Sequence, residues 1–246
     1  MKIGIAGYGF VGQAHTAVLE TKHEMLVSDP NLGYTDDLSQ SDAIIICVST
    51  PKGAAGHCHM DNVISVIARA PNVPILIKST ISLEGWKVIR HLFNNHDLTF
   101  SPEFLRASSA LEDFANAKEI LIGGDSVSFW SDTFKDVMDV EIKVSEPEEL
   151  IMVKYFRNAF LATKVAFFNE IYDLCEVARI DYKEVASMIG DDPRIGHSHT
   201  EVTEERGFGG HCFPKDVSAI ISTARQYKSP LEVLQAAEAY NKEIRK

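Results

Sequence analysis

The sequence has no long hydrophobic run. In 246 residues the longest strongly apolar stretch is 43–48, far short of the ~20 residues that cross a bilayer. A membrane-spanning segment is therefore not expected. An export signal is missing as well: Lys2 leads into a Gly-rich turn, with no apolar h-region and no small-residue cleavage site. Cationic side chains are scarce. The 24 Lys and Arg face 35 Asp and Glu, for a net charge of −11, which excludes a nucleic-acid backbone as partner. A small anion can still be held where a few cations converge. Cysteine is sparse, and Cys47, Cys58, Cys175 and Cys212 form no CxxC pair. No disulfide framework follows, and free thiols in a reducing, cytoplasmic setting are expected. There is no internal repeat and no low-complexity segment.

What is present is an ordinary globular composition, 45% hydrophobic and 24% charged, long enough for one large domain or two modest ones. Up to about residue 145 short apolar runs alternate with helical patterns. Strands are expected at 2–6, 24–28, 43–48, 74–78, 98–101, 119–122 and 140–144. Helices are expected at 13–21, 61–70, 83–93 and 127–137. This alternation predicts an α/β, Rossmann-like, doubly wound parallel sheet in residues 1–145. Ser145-Glu146-Pro147-Glu148 then reads as a helix start, with a capping serine and a first-turn proline. A helical pattern without Pro or Gly runs to Arg179. A second stretch runs from Asp181 to Gly190, and the Gly- and His-rich segment 191–214 is irregular. Helical patterns return at 216–227 and 230–246. Residues 146–246 are thus expected to be an all-helical domain, and the last pattern shows no C-cap glycine.

Two segments carry chemistry. Gly7-Tyr8-Gly9-Phe10-Val11-Gly12 fits GxGxxG between a strand and a helix. The first glycine allows the tight turn, the second lets a pyrophosphate approach, and the third lets helix pack on strand. Free N–H groups and the positive dipole end of the helix favour phosphate there. Asp29 ends the next strand, where its carboxylate can take the ribose hydroxyls and repel a 2′-phosphate, so the cofactor is read as NAD. The second segment is Gly207-Phe208-Gly209-Gly210-His211-Cys212-Phe213-Pro214-Lys215-Asp216. Glycines allow close approach to Cys212, and His211 and Lys215 favour its thiolate. Asp216 is expected to cap the following helix. Composition alone leaves Cys212 open between a nucleophile and a structural thiol. His57-Cys58-His59 and His197-Ser198-His199 do not match zinc spacing, and no metal site is expected. Cys47 and Cys175 are read as small buried hydrophobes.

The cysteine segment resembles the active-site signature of the UDP-glucose/GDP-mannose dehydrogenase family. Further segments match in order: the turn 7–12, Ser49-Thr50-Pro51, Lys78-Ser79-Thr80, Ser101-Pro102-Glu103-Phe104-Leu105-Arg106, Glu149 through Lys154 to Asn158-Ala159-Phe160-Leu161, and Arg194-Ile195-Gly196. The resemblance implies a four-electron oxidation. The C6 alcohol of a nucleotide sugar, UDP-glucose foremost, becomes a carboxylate as two NAD each take a hydride. It gives Cys212 the attack on the aldehyde stage, forming a thiohemiacetal and then a thioester that water hydrolyses. Lys154 and Asn158, four apart on one helix face, stabilise the oxyanion at C6. Asp216 positions a water or relays the first proton. Glu103 acts as base for hydrolysis with Thr80 holding the water. By the same resemblance Thr50, Thr80 and Lys215 join the cofactor set. Phe104, Leu105, Arg106, Arg194, Phe208, Gly209 and Gly210 join Lys154 and Asn158 at the substrate. The long helix implies a homodimer, with Arg194 reaching the neighbouring subunit's substrate.

The sequence departs from the family at three points. Ala107 stands where many relatives carry a second glutamate. The connection 29–41 is short. The family's C-terminal nucleotide-binding domain is not expected in this chain, which leaves open a piece of a longer protein, a reduced form that relies on a separate nucleotide-binding domain as partner, a smaller substrate, or a catalytically degenerate form. Two other readings stay open. A single-step hydroxyacid-type dehydrogenase shares the layout, needs no cysteine and forms one NADH per substrate. A non-catalytic dinucleotide-binding partner subunit binds NAD without turnover.

Overall fold

The computed structural model describes residues 1–51, 53, 58–210 and 212–246. It divides into two compact units, residues 1–53 and 58–154, and residues 155–246. His57 and His211, which the sequence singled out, lie outside the described residues.

In the N-terminal unit, β1 (Lys2–Ala6), α1 (Phe10–Leu19) and β2 (Glu24–Asp29) form the first βαβ turn. Then come β3 (Tyr34–Thr35), β4 (Ala43–Ile46), α2 (Asp61–Ile67), β5 (Ile75–Ile77), α3 (Leu83–Leu92), β6 (Leu98–Phe100), α4 (Ala110–Ala115), β7 (Glu119–Gly124), α5 (Val127–Lys135) and β8 (Glu141–Val144). The strands form one sheet in the order β3-β2-β1-β4-β5-β6-β7-β8. β1 therefore has β2 on one side and β4 on the other, the reversal at which doubly wound sheets bind ligands. The register pairs Ile5 with Val27 and with Ile45. β4 is buried along its whole length, as a strand covered on both faces must be. Its neighbours Ile3, Ile5, Leu76, Ile122, Trp130 and Phe134 belong to one apolar core.

The doubly wound reading holds with one refinement. β6 pairs antiparallel with β7 through Thr99↔Gly124 and Phe100↔Gly123, and β3 is antiparallel to β2. The sheet is thus a parallel block from β2 to β6 joined to an oppositely directed pair, β7 and β8. Gly124 has φ +127°, and a side chain there would run into the backbone of Leu98 and Thr99. Only glycine lets the two blocks meet this closely. The sequence reading missed β3 and α4, both too short to show a period.

The helix α6 (Pro147–Ala178) starts in the first unit and continues through the second. Over 32 residues it has neither glycine nor an interior proline. The Ser145 hydroxyl does not cap a backbone N–H; it donates to the Glu149 carboxylate. α7 (Tyr182–Gly190) starts at Asp181, whose carboxylate accepts the Lys183 N–H at 2.9 Å. α8 (Phe213–Gln226) and α9 (Glu232–Ile244) follow the irregular segment. Phe168, Cys175, Tyr182 and Ala186 form the second unit's apolar cluster, so Cys175 is the buried hydrophobe expected. Among the described residues no helix is long and apolar enough to cross a membrane.

Candidate active site

The dinucleotide turn is built by its own residues. Gly7 takes φ +92°, and a side chain there would press on the Cys47 and Val48 backbone. A side chain on Gly12 would collide with the Gly7 carbonyl. Gly9, by contrast, faces open space. It is the N-cap of α1 and offers no side-chain bond to the first turn, so the N–H groups of that turn stay free for an anion. The helix starts at Phe10, three residues before the sequence pattern suggested, which puts Phe10, Val11 and Gly12 in its first turn. Asp29 ends β2, and its carboxylate accepts the Tyr8 N–H at 2.8 Å, tying acid and turn together.

Beside this turn lies a cleft of about 580 Å³, lined among others by Gly7, Gly9, Phe10, Val11, Asp29 and Cys47. That volume lies within the range of small-molecule sites. The open face at Gly9, the uncapped helix start and the Asp29 carboxylate on the cleft wall all fit a dinucleotide. Cys47 is not a strand residue as read: it follows β4 and borders the cleft, and burial pushes its thiol up to about 12. Past β4, the Thr50 hydroxyl donates to the Thr80 carbonyl at 2.7 Å, so the structure brings these two predicted residues together.

Lys78 directly follows β5 and is almost wholly buried. Its ammonium contacts Ser101 Oγ at 3.0 Å, the Pro102 carbonyl at 3.4 Å and Glu103 Oε2 at 3.2 Å. The Glu103 carboxylate also accepts the N–H groups of Phe104 and Leu105 at 2.8 and 3.1 Å. Burial alone would raise this carboxyl. Lys78, then His15, then the backbone N–H outweigh it and bring the group down to about 2. A carboxylate held so low orients a water well but takes a proton poorly, which narrows the base role implied by resemblance. His15, in α1, has Nε2 3.7 Å from Glu103 Oε2, and its Nδ1 faces the Val11 carbonyl at 2.9 Å. Burial, then Lys78, lowers it to about 4, so it is neutral at pH 7. Nδ1 is then the donor to Val11, and the Nε2 lone pair faces the carboxylate. Lys154, two turns into α6, donates to the Glu103 carbonyl, and its ammonium lies 5.2 Å from the Phe104 ring centre. Arg106 is turned away onto Asp113, at 2.6 Å. Sequence reasoning quoted Lys78 without a role and passed over His15. A lysine at the end of an apolar strand was the available signal.

In the helical unit, Cys212 is exposed at the N-cap of α8. Asp216 does not cap this helix, as the sequence suggested. The helix starts at Phe213, and Asp216 sits in its first turn, 1% exposed. One carboxylate oxygen accepts Asn158 Nδ2 at 2.5 Å, and the other lies 2.9 Å from Lys215 Nζ. Asn158, Asp216, Lys215 and Cys212 are therefore gathered in one place. Phe208 is buried and Gly210 takes φ +75°. Arg194 is exposed and bound to Asp192 at 2.5 Å. The loop that follows it is held by Lys164, which donates to the carbonyls of Ile195 and Gly196 at 2.8 and 2.9 Å. Among the described residues no group of three or more His, Cys, Asp or Glu is placed to hold a metal. His59 lies by Asp61, His197 by Asp191.

Comparison with known proteins matches both units. Residues 26–137 match the NAD binding domain of the UDP-glucose/GDP-mannose dehydrogenase family, and residues 148–243 match its central domain. The chain is 32% identical over 222 residues to a UDP-glucose 6-dehydrogenase of Rickettsia conorii, covering 85% of this chain and 51% of the relative. It is 33% identical over 240 residues to one of Rhizobium meliloti, covering 87% and 54%. The chain thus spans about half the length of the curated relatives it matches. A solved UDP-glucose dehydrogenase from Pyrobaculum islandicum superposes with a TM-score of 0.87 at 25% identity, over 98% of this chain and 68% of that one.

Proposed function

The chain belongs to the UDP-glucose/GDP-mannose dehydrogenase family, and from that premise we propose that it oxidises the C6 alcohol of a nucleotide sugar, UDP-glucose foremost, to the carboxylate. The observation that carries this reading is Asp216. It is fully buried beside the N-cap cysteine and held by the Asn158 amide at 2.5 Å from a helix 58 residues away. A carboxylate so deeply buried and so specifically paired is costly as mere structure and is in place for chemistry.

The turn at Gly7, Gly9 and Gly12 with Phe10, Val11 and Asp29 would hold NAD, which when bound accepts the hydride released at each of the two oxidation stages. Asp29 would select against a 2′-phosphate by charge. Cys212 attacks the aldehyde carbon, keeping the intermediate attached until it is a thioester. Asn158 and Lys154 supply N–H donors to the oxygen that gains negative charge at C6. Asp216 takes or returns the proton of that oxygen. Glu103, ionised, orients a water with Thr80, and hydrolysis of the thioester frees Cys212. Phe104, Leu105, Phe208, Gly209 and Gly210 are assigned to the sugar by the same reading. Lys215 joins the cofactor set.

We also propose a homodimer. α6 leaves Phe160, Phe167 and Leu174 largely exposed at seven-residue spacing, an unpartnered stripe of the kind helix pairs bury. Arg194, exposed and paired with Asp192 in this chain, would then serve the neighbouring subunit.

The test is stoichiometry. The chain with NAD and UDP-glucose should form two NADH per acid produced, and Cys212→Ser should lower acid formation by at least a thousandfold. One NADH per sugar, or an unimpaired Cys212→Ser enzyme, would falsify the covalent four-electron reading in favour of a single-step dehydrogenase. NAD binding without turnover would favour the non-catalytic partner subunit.

A further inference from the structure

The segment that delivers Cys212 starts in an unfavourable backbone conformation. Arg206 has φ 59° and Gly207 φ 56°, two successive left-handed residues, the first of which carries a side chain. Such a turn persists only when its surroundings over-determine it. The next residue, Phe208, has both backbone polar groups bound by one side chain. Asn241, on α9, accepts the Phe208 N–H on Oδ1 at 2.6 Å and donates from Nδ2 to the Phe208 carbonyl at 3.1 Å. A primary amide has its donor and acceptor side by side, so it pairs with a residue as a neighbouring strand would.

The contacts around this pair converge on the same turn. Asn169, buried in α6, accepts the Gly207 N–H at 3.1 Å and Arg206 Nε at 2.9 Å. Its own Nδ2 is tied to the Val165 carbonyl at 2.9 Å, which fixes the orientation of the amide. Arg245, one turn after Asn241, donates to the Arg206 carbonyl at 2.8 Å. A side chain on Gly207 would overlap Asn241 Oδ1, and one on Gly209 would overlap the Arg245 guanidinium. Beyond the clasp, Gly210 has nothing within 4 Å of where a side chain would start. Among the described residues the loop is held by Asn241, Asn169 and Arg245, and it runs into the start of α8 at Cys212.

We infer that Asn241 is a positioning residue for Cys212. Its amide clasps Phe208 from α9 and thereby fixes where the loop presents the thiol at the start of α8. This rests on the reading of Cys212 as the nucleophile. Asn241 touches neither the thiol nor Asp216, and its effect passes through the backbone of 207–210.

The test compares the 246-residue chain with Asn241→Ala and Asn241→Asp. The aspartate keeps size and acceptor but loses the donor to Phe208. Both variants should speed hydrogen exchange in 204–212 at least tenfold while α7 exchanges as in the wild type. Alkylation of Cys212 by iodoacetamide, followed by peptide mass spectrometry, should slow more than threefold. The kcat with UDP-glucose should fall at least tenfold, with the Kd for NAD within twofold of the wild type. If the loop exchanges no faster in Asn241→Asp, there is no clasp. If it exchanges faster while alkylation and kcat hold, the residue is only structural. Either result overturns the inference. A wild-type chain that forms no NADH from nucleotide sugars defeats the oxidation reading instead, and exchange and alkylation then decide the clasp alone. Should the Asn241 variants not fold, Arg245→Met, which leaves the Asn241 amide in place and removes the bonds to the Arg206 and Gly207 carbonyls and the Glu205 ion pair, should move exchange and alkylation in the same direction.

Discussion

His15 and Glu103 face each other across 3.7 Å in the N-terminal unit, and both are held below their ordinary pKa, at about 4 and about 2. Each therefore binds fewer protons folded than unfolded over a window of pH. The stability they contribute is present above the unfolded value and lost on acidification, from 6.5 down through 4 for His15 and from 4.5 down through 2 for Glu103. Shifts of this size correspond to roughly 3 kcal/mol apiece. Urea unfolding should thus show stability falling steadily from pH 6.5 to 2, and Glu103→Gln should flatten the lower part of that slope. An unchanged slope in that variant would show that the carboxylate is not held down. A second residue-level expectation concerns Asp29, which lines the cleft and is proposed to take the ribose hydroxyls. Asp29→Ala should weaken NAD binding about 10- to 100-fold by titration calorimetry, the worth of charge-assisted hydrogen bonds, with little change in thermal stability. Neither group's partners could be read from the sequence. Asp29 was legible because strand, turn, helix, strand and acid are consecutive. Lys78 lies 25 residues before Glu103, and only the adjacency of β5 and β6 joins them.

Among the elements, α6 does most to organise the helical unit. Its inner face supplies Asn158 to Asp216, Lys164 to the Ile195–Gly196 carbonyls and Asn169 to the Gly207 turn. Its outer face carries Phe160, Phe167 and Leu174 into solvent. Helix length and apolar spacing were visible in the sequence, since both are properties of a single continuous segment. Which face turned inward was not, because apolar residues occur on both. If the outer stripe is a dimer seam, Phe167→Glu should bury a charge there twice over in a symmetric pair. Sedimentation velocity should then show a monomer where the wild type is a dimer, with the helical content unchanged. A wild-type monomer at micromolar concentration would remove the stripe's proposed role. α8 illustrates how element ends depend on context: Phe213 and Pro214 start it earlier than the apolar pattern suggested. That shift moves Asp216 from a capping position to a buried first-turn one.

For the whole molecule, the two units divide the chemistry. The cleft that fits a dinucleotide is lined entirely by residues of the N-terminal unit, while Cys212, Asn158 and Asp216 belong to the helical one. Saturating NAD should accordingly slow hydrogen exchange in the turn 7–12, at Asp29 and in α2. At a hundred times its Kd it should stabilise the folded state by about 2.7 kcal/mol. Protection confined to the helical unit would place the cofactor elsewhere. The doubly wound, mainly parallel sheet was implied by the βαβ alternation, because a parallel crossover has one favoured hand; the strand order came only with the structure. The antiparallel junction at β6 and β7 was not implied, because it depends on Gly124 meeting the backbone of Leu98 and Thr99 at close range.

The sequence by itself determined the doubly wound fold class, the Gly-rich turn between β1 and α1, the long helix and the family resemblance. Each of these is written in residues adjacent along the chain, where backbone preference and periodicity act directly. Tertiary structure alone decided that Asp216 is buried on Asn158, that Lys78 and His15 set the charge of Glu103, and that Asn241 grips Phe208. Those contacts join residues 25 to 88 positions apart. Their strength comes from burial and from hydrogen-bond geometry, and both exist only once the sheet has closed and the helices have packed.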